Sequence, residues 1–384
     1  MIKRCLLIVL CAVSFSGWAQ SVASINYRYY YDAQAEVRFP MKVVNANNQL
    51  TVLYALQVSG AQDSPKDYRI TWERHETYLT RTGLPVAQPD SLATSGRLSF
   101  PLPEKPWLLV ARIFNPTTNR RFVFFALMDA KFPVDGYLQD ENGIVFENWI
   151  KANKAVTVHG ADASKPLHFY FYKTVFAPAL PPFADKEPAP DRFLFPDSSF
   201  TVAEGQSVTF RSEGMYLAQQ DTAAAKGFTI RVVGQSFPKY SRTVDIPAPL
   251  TFVSTKEEHD ELVAAKDDKA KIDKVILDIT GNRDRAKTFM KSYFRRVELA
   301  NLFFTSYKEG WKTDRGMIFL IFGPPDEVNR TGANEIWIYR NIKERFVFLK
   351  SGSVYDPIHF TLMRDSKMNA TWYSTIDLWR KAQF

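Results

Sequence analysis

Both cysteines of this chain, Cys5 and Cys11, stand near its start, and the rest of the sequence contains none. Disulfides, thiolate nucleophiles and cysteine-ligated zinc are therefore excluded for everything after Cys11. Stability has to come from buried hydrophobic side chains, and a chain of 384 residues, 46% of them hydrophobic, is long enough to bury several cores. We expect a multidomain protein that is held together by packing alone.

The first residues have the pattern of a signal peptide. Lys3 and Arg4 form a short positive region, and an apolar run extends from Cys5 to Phe15. Small residues follow, which predicts a signal peptide over 1–19 with cleavage before Gln20. The apolar run is shorter than the roughly 20 residues that span a bilayer, and a retained membrane anchor is the alternative. The predicted protein is exported, either periplasmic or secreted and associated with the cell envelope, with no integral membrane segment after cleavage.

The charge pattern bears on the kind of partner. The formal net charge is +8 at pH 7, and the basic residues are spread along the chain rather than gathered in long runs. A nucleic-acid channel concentrates lysine and arginine on one face, so this spread argues against nucleic acid as a partner. We expect an envelope protein or a cell-wall component instead.

Residues 20–132 are predicted to form a β-sandwich-like domain. In Gln49–Val58 apolar side chains recur at every second residue, which places them on one face of a strand. Asparagines at 45, 47 and 48 indicate a turn just before it, because Asn tolerates left-handed backbone. Trp107–Phe114 and Arg121–Met128 flank a turn-like segment and predict a hairpin. Short strands separated by turns favour a sandwich, since each sheet needs a second one to cover its apolar face.

Residues 133–250 are predicted to form a second β domain that contains a Pro-rich loop. Strand composition is found in Leu167–Phe176, Val208–Arg211 and Phe228–Val233. The loop holds the prolines Pro178, Pro181, Pro182, Pro188, Pro190 and Pro196. Prolines at this density cannot donate to a sheet, which predicts a stiff connection, with a ligand-binding loop as the alternative. The sequence leaves open whether residues 20–250 form one β domain or two.

Residues 251–384 are predicted to form a compact α+β domain. Ser254 to Glu257 fits a capping box that begins a charged helix, and this helix extends to about Asp278. A second helix has a wide apolar stripe, formed by Ala286, Phe289, Met290, Tyr293, Phe294, Val297, Ala300 and Phe304. Strands are predicted at Met317–Phe322, Ile336–Tyr339, Arg345–Leu349 and Ile358–Met363, with a last short helix near 376–379. The predicted fold is multidomain and mainly β, with N-terminal β-sandwich-like modules followed by this α+β domain.

The most distinctive stretch is the motif at residues 310–316, Gly-Trp-Lys-Thr-Asp-Arg-Gly, which an apolar run and Gly-Pro-Pro-Asp-Glu at 323–327 follow. Five of its residues are typical of turns: Gly310, Gly316, Gly323, Pro324 and Pro325. Glycine adopts backbone angles that are closed to other residues, and consecutive prolines fix the chain. The pattern indicates a helix exit, a turn, a buried strand and a rigid turn.

This motif resembles the GWxTD domain, which is found in exported proteins of Gram-negative bacteria. The similarity extends from Ile272 to Arg364. It includes Tyr-Phe-Arg-Arg-Val at 293–297, Ala-Asn at 300–301, the complete motif and Glu-Ile-Trp-Ile-Tyr at 335–339. The resemblance implies a fold and a compartment outside the cytoplasm, and it supplies no established activity or catalytic residue.

Two functional interpretations of the motif compete with a structural one. As a recognition surface it would offer large aromatic area to a protein or glycan. The binding residues would be Trp311, Thr313, Asp314, Arg315, Trp337 and Tyr339. As an active site it would use Asp314, Asp326 or Glu327 as acid and base of a carboxylate-dependent hydrolase acting on glycan or peptide, because two carboxylates are the minimum for glycoside hydrolysis.

In the structural interpretation Trp311 packs into the domain core. Asp314 then caps a turn and pairs with Arg315 or Arg296. The same carboxylates are poorly spaced for Ca²⁺, since Asp326 and Glu327 are adjacent whereas calcium loops space their ligands at alternate positions.

The remaining chemistry-bearing residues form no recognisable set. The histidines are scattered without metal-ligand spacing, at His75, His159, His168, His259 and His359. The sequence has neither a Gly-x-Ser-x-Gly elbow nor a phosphate-binding loop. We therefore predict no metal, no cofactor and a non-catalytic envelope protein. Its β modules would serve as spacers or docking surfaces, and its C-terminal domain would recognise a protein or a cell-wall component. The alternatives are the hydrolase above and a structural subunit of an envelope assembly.

Overall fold

A computed structural model describes residues 20–59, 64–87, 93–185 and 194–384 of the chain. The predicted signal peptide and the prolines Pro188 and Pro190 lie outside these ranges. The described protein is mainly β, and its α-helices are gathered between Lys256 and Arg380. Within those ranges we find no helix that is both long and apolar enough to cross a membrane.

The first part of the chain folds into two facing antiparallel sheets and a short ribbon. The strands are β1 (Val37–Arg38), β2 (Met41–Ala46), β3 (Gln49–Ala55), β4 (Gln57–Val58), β5 (Arg69–His75), β6 (Leu84–Val86), β7 (Ser95–Pro101), β8 (Trp107–Asn115) and β9 (Arg120–Met128). Their order is β2-β3-β7 in one sheet and β6-β5-β8-β9 in the other, with β1 paired to β4. Val52 and Tyr54 from one sheet and Trp72 and Ile113 from the other meet in one buried core, as a sandwich requires.

The hairpin and the turn predicted for this part are present, whereas the strand predicted over Gln49–Val58 is divided between β3 and β4. β8 and β9 form the expected hairpin, and Asn115 pairs with Arg120 next to the turn. The turn before β3 holds Asn47 and Asn48 at φ 50° and 58°, in the left-handed region that asparagine tolerates.

A second pair of sheets follows, with its own core. The strands are β10 (Gly136–Asp140), β11 (Gly143–Ile144), β12 (Trp149–Lys151), β13 (Ala155–Gly160), β14 (Leu167–Tyr172), β15 (Ser198–Val202), β16 (Ser207–Thr209), β17 (Gly214–Gln219) and β18 (Phe228–Val233). Their order is β11-β10-β13-β16 in one sheet and β12-β18-β17-β14-β15 in the other. Leu138 and Val158 pack against Phe169 and Ile230 across the two sheets. The β region therefore contains two sandwiches.

The last part of the chain combines helices with an antiparallel sheet. The elements are α1 (Lys256–Ala264), α2 (Lys269–Thr280), α3 (Arg283–Phe304), α4 (Asp314–Phe322), β19 (Glu327–Thr331), β20 (Asn334–Tyr339), β21 (Glu344–Lys350), β22 (Phe360–Leu362) and α5 (Met368–Arg380). The strands pair in chain order, from β19 at one edge to β22 at the other. The predicted stripe of α3 is largely buried, with Phe289, Tyr293 and Val297 fully inaccessible.

One predicted strand is wrong: Met317–Phe322 belongs to helix α4. The side chains of residues 317–321 are all buried, so this short helix is covered on every side and shows no amphipathic period. A short apolar run that is buried all round has the same pattern in a strand and in a helix. The helix is selected by its first turn, where the Thr313 hydroxyl accepts a hydrogen bond from the Gly316 amide at 3.0 Å.

The predicted start of the charged helix is one residue early. The cap is Thr255, whose hydroxyl accepts from the Glu258 amide at 3.2 Å while the Glu258 carboxylate accepts from the Thr255 amide at 2.8 Å. The helix is also two helices, because Asp268 caps a new start at α2. Gly281, at φ 82°, then ends α2.

A segment ahead of the first sandwich ties it to the C-terminal domain. It contains two 3₁₀ turns, Val22–Ser24 and Arg28–Tyr31. The Tyr27 amide donates to the carbonyl of Val328 on β19 at 2.8 Å. Buried side chains of this segment and of β8 and β9 share one core with the C-terminal domain: Val22, Tyr27, Tyr31, Leu108, Val110 and Val123. The two parts of the molecule are therefore packed against each other.

Candidate functional site

The motif at 310–316 connects α3 to α4 through a 3₁₀ turn at Gly310–Lys312. A Cβ atom at Gly310 would lie 2.0 Å from the carbonyl oxygen of Ala300, and one at Gly316 would lie 1.8 Å from that of Gly310. Both distances are far shorter than any tolerated contact, so only glycine allows these backbones to meet. The two glycines thus clamp the turn between the end of α3 and the start of α4.

The aromatic residues of the predicted recognition surface are buried. Trp311 is 1% exposed, and its indole nitrogen donates to the Tyr240 hydroxyl at 2.8 Å. Trp337 and Tyr339 lie on the inner face of β20, at 0% and 3% exposure, and the Tyr339 hydroxyl donates to the Gly323 carbonyl at 2.7 Å. These positions are incompatible with an exposed aromatic surface, because each ring has already been used to build the core.

Thr313 fixes the motif internally. Its hydroxyl donates to the Gly310 carbonyl at 2.8 Å and accepts from the Gly316 amide. One buried side chain therefore links the first and last residues of the motif. Gly323, Pro324 and Pro325 form the connection from α4 to β19, with Pro325 buried.

Asp314 is a buried structural carboxylate. It is 4% exposed, lies 2.6 Å from the guanidinium of Arg364, and accepts from the Leu362 amide at 2.9 Å. The expected pairing with Arg315 or Arg296 is wrong: the chain returns through β22 and brings Arg364 to this position instead. Asp314 also stands in the first turn of α4, where the helix dipole favours a negative charge.

Asp326 and Glu327 lie at the opposite edge of the sheet. The Asp326 carboxylate accepts from the Arg340 amide at 2.7 Å, and Glu327 pairs with the Arg340 side chain. Glu327 is on β19, whereas Asp314 is bound to β22, three strands away. With about 4.8 Å between strands, the edges are about 14 Å apart, which exceeds the roughly 5 to 10 Å that separates catalytic carboxylates in glycosidases. The three predicted carboxylates do not converge on one pocket.

Arg315 joins a buried cluster that the sequence did not single out. Its centre is Glu335, which is 0% exposed. The Glu335 carboxylate accepts from the Tyr31 hydroxyl at 2.6 Å, from the Trp337 indole at 2.8 Å and from Arg330 Nε at 2.8 Å. The guanidinium of Arg315 lies 3.6 Å from the same carboxylate and donates to the Tyr31 hydroxyl at 3.1 Å.

The electrostatics of this Glu335 cluster are dominated by its two arginines. Burial by itself would raise the pKa of Glu335, but Arg330 and Arg315 outweigh burial and hold that pKa below its usual value. The carboxylate is therefore ionised, and the cluster contains two positive charges for one negative charge. Stacking of Arg315 on Phe360 at 4.5 Å and of Arg330 on Tyr30 at 4.6 Å stabilises the remaining charge.

Beside this cluster a cavity of about 340 Å³ lies where the three parts of the chain meet. Its volume falls at the lower end of the range for small-molecule sites. The first sandwich contributes Lys42 and Phe124, the second Phe228, and the C-terminal domain Ser306 and Lys350. None of the predicted site residues lines it.

The wall of the cavity is mostly apolar, and three of its polar groups lack, among the described residues, the partners that such groups usually have. Burial lowers the pKa of Lys42 to about 8 and lowers the pKa of Lys350. Lys42 donates to the Val145 carbonyl at 2.8 Å. Across the described ranges, neither lysine has a carboxylate within ion-pair distance. The Ser306 hydroxyl is buried and has no hydrogen-bond partner among the described residues.

A family model described as the GWxTD domain matches residues 214–381. The chain contains a GWxTD domain. The match begins well before the helices, in β17, and this extension has a physical reason. Arg231 on β18 donates to the Tyr307 carbonyl at 3.0 Å and to Glu309 at 2.6 Å, and Tyr240 receives the Trp311 indole. The last strands of the second sandwich therefore support the motif of the GWxTD domain directly.

Comparison with solved structures found weak similarities. They include the BSP domain of a biofilm-associated protein, at 14% identity, 53% of this chain, 30% of that chain and a TM-score of 0.25. An alpha-2-macroglobulin from Salmonella has 11% identity, 53% and 17% coverage and a TM-score of 0.19. Trypsin-activated alpha-2-macroglobulin from Escherichia coli has 11% identity, 53% and 18% coverage and a TM-score of 0.19. The chain spans less than a third of each of these proteins, and the TM-scores are too low to define a shared fold. A comparison with curated proteins found no match.

Replacement of Asp314 tests its structural role in the GWxTD domain. Asp314→Asn keeps an acceptor for the Leu362 amide but removes the negative charge that lies 2.6 Å from the Arg364 guanidinium, which is 9% exposed. We expect a loss of about 2 kcal/mol in the free energy of unfolding, the size of a charged hydrogen bond. Urea denaturation would measure it, with Asp326→Asn as the control that should cost less than about 1 kcal/mol. Equal effects in the two variants would contradict the buried pair.

Asp135 predicts a dependence of stability on pH. This carboxyl, 6% exposed, lies between two residues of the cavity wall, Val134 and Gly136, and burial raises its pKa from 3.8 to about 6. A pKa raised by folding stabilises the protein fully below pH 3.8, and this contribution is lost as the pH rises through 6. Asp135→Asn stays neutral and should gain on the order of 2 to 3 kcal/mol over wild type between pH 4 and 7. Urea denaturation at both pH values measures this gain, with exposed Asp267→Asn expected to show none; an unchanged pH profile in Asp135→Asn would exclude the assignment.

Proposed function

We propose that this protein is exported and non-catalytic, and that it binds a component of the cell envelope in the cavity between its two sandwiches and its GWxTD domain. The observation that carries this proposal is the composition of the cavity wall, to which all three parts of the chain contribute. Interfaces between domains are among the places where small-molecule pockets preferentially occur. The β modules then act as walls of the site as well as spacers.

Export is supported by the sequence. The pattern over 1–19 is that of a cleaved signal peptide, and the GWxTD resemblance implies the same compartment. In protein recovered from the envelope, the intact mass should lack residues 1–19. An intact mass that includes residues 1–19 would show that the signal peptide is not cleaved, which would favour a retained membrane anchor.

A non-catalytic role is supported by the use that the fold makes of the motif. Asp314 neutralises Arg364, while Asp326 and Glu327 both engage Arg340. Among the described residues, no cluster of histidine and carboxylate side chains could hold a metal ion. The carboxylate-dependent hydrolase therefore has no assembled acid–base pair at the motif.

Blocking the cavity tests the proposal. Thr229 lines the cavity from β18, and its side chain is directed toward the Val354 carbonyl of the C-terminal domain. Thr229→Trp should fill part of the space, whereas Thr209→Trp makes the same change on the exposed strand β16. We would incubate each protein with an envelope extract and measure bound mass by native mass spectrometry. Wild type and Thr209→Trp should retain a common adduct that Thr229→Trp loses. An adduct that survives in Thr229→Trp would place the site elsewhere, and no adduct on any protein would reject the function.

A further inference from the structure

We propose that the ligand of this cavity is an amphipathic anion, in which a carboxylate or phosphate group is attached to a hydrocarbon chain or ring. The inference rests on the proposed function and narrows it to a ligand class. It follows from three features of the wall: its apolar surface, its two lysines without ion-pair partners, and a buried hydroxyl without a hydrogen bond.

Lys42 and Lys350 would be stabilised by a negatively charged group in the cavity. An ammonium group that is removed from water without a counter-ion costs free energy. The carboxylates that act on these lysines are Glu147 for Lys42, and Asp129 and Asp356 for Lys350, and none of them is within ion-pair distance. Asp356 also lines the cavity. Asp356 is already engaged, since it accepts from the Ile358 amide at 3.2 Å and lies 3.1 Å from His359. An anionic ligand would supply the missing partner.

The other cation of the wall is not available for this purpose. Arg330 lines the cavity, but its guanidinium forms two contacts with the Glu335 carboxylate, at 2.8 and 2.7 Å. The Glu335 carboxylate therefore already balances the charge of Arg330. The recognition of an anion falls to Lys42, on β2 of the first sandwich, and Lys350, at the end of β21.

The apolar wall and Ser306 define the rest of the ligand. Rings of Phe124, Phe146 and Phe228 line the cavity. Covering such an apolar surface with hydrocarbon removes it from water and so favours binding. Ser306 is 7% exposed, and its hydroxyl has no partner in the described ranges. A buried hydroxyl is costly unless it is hydrogen-bonded, and a ligand oxygen would satisfy it. A small inorganic anion would leave most of this surface uncovered.

The test compares probes that differ in one property each. Isothermal titration would measure binding of dodecanoate, dodecyl phosphate, dodecanol and acetate to the full mature chain. Both long-chain anions should bind one per chain and at least about tenfold more tightly than dodecanol or acetate, because each charged hydrogen bond contributes about this factor. The tighter of the two anions would identify the source as a fatty acid or a phosphate-bearing lipid.

Variants locate the charge that is recognised. Lys42→Met and Lys350→Met should each weaken dodecanoate binding by about tenfold, whereas Lys291→Met, on the exposed face of α3, should leave it unchanged. The proposal would be overturned if either dodecanol or acetate bound as tightly as dodecanoate. It would also be overturned if dodecanoate binding were unchanged in both Lys42→Met and Lys350→Met. The comparison of probes on wild type decides even if a variant fails to fold. If wild type retains an extract adduct that Thr229→Trp loses, but does not bind dodecanoate, the ligand class is rejected and the proposed function stands.

Discussion

A Gly316→Ala protein is expected to lose more than about 4 kcal/mol of its free energy of unfolding, which is exceptional for one added methyl group. The new Cβ would lie 1.8 Å from the Gly310 carbonyl oxygen and 3.0 Å from the Thr313 hydroxyl. Neither neighbour can move without opening the cap of α4, because Thr313 bonds both glycines of the motif. Soluble yield and a thermal melt followed by circular dichroism would measure the effect.

The control separates a steric clash from ordinary glycine replacement. Gly281, at the end of α2, has φ 82° and open space around its Cβ position. Gly281→Ala should therefore cost only the left-handed backbone penalty of about 1 to 2 kcal/mol. If Gly316→Ala melted at the temperature of Gly281→Ala, the close packing of the motif would be refuted.

The second large effect is expected for Glu335→Gln. This substitution leaves the buried guanidinium groups of Arg315 and Arg330 without their counter-charge. Removal of one partner from a buried ion pair typically costs about 3 to 5 kcal/mol, since the remaining charge stays desolvated. The Tyr31 hydroxyl would also lose a charged acceptor, which loosens the segment that ties the first sandwich to the GWxTD domain.

Urea denaturation would measure this loss against a surface pair on the same sheet. Glu327→Gln removes the partner of Arg340, whose side chain is 71% exposed, and should change the free energy of unfolding by less than about 1 kcal/mol. A Glu335→Gln protein as stable as Glu327→Gln would mean that the cluster does not hold the fold.

The sequence predicts the strands and helices well where the side chains alternate or form a stripe. β8 and β9, β18 and the buried face of α3 all lie where their periodicity indicates. Met317–Phe322 was wrongly predicted as a strand because a segment that is buried on all sides shows no periodicity in its hydrophobic residues. The Thr313 hydroxyl was the available signal for a helix start, although the usual Glu or Gln at the third helical position is replaced by Gly316.

The motif shows why a conspicuous sequence pattern does not by itself identify a site. Trp311 and Arg315 were candidates for recognition because such residues are typical of binding surfaces, and Asp314 was a candidate as the carboxylate between them. Their partners, Tyr240, Arg364 and Tyr31, are 71, 50 and 284 residues away along the chain. Nothing local in the sequence announces these contacts, so the burial of the motif follows only from the tertiary fold.

The Glu335 cluster left a partial signal. In β20 the alternation places Glu335 on the same face as Trp337 and Tyr339, which implies a buried charge. The cavity left no signal in the sequence. Lys42 lies in the first sandwich, Ser306 and Lys350 lie far apart within the C-terminal domain, and each on its own is typical of a solvated surface.

Hydrogen–deuterium exchange of the mature protein, with and without an envelope extract, would show directly where a ligand binds. A ligand bound in the cavity should slow exchange in three separate segments of its wall, 41–43, 124–138 and 355–360. Residues 310–322 should exchange slowly in both samples and remain unchanged, since the motif is already buried. Protection at the motif or around Asp326 and Arg340, without protection of the cavity segments, would exclude the cavity as the binding site and return the site to the motif.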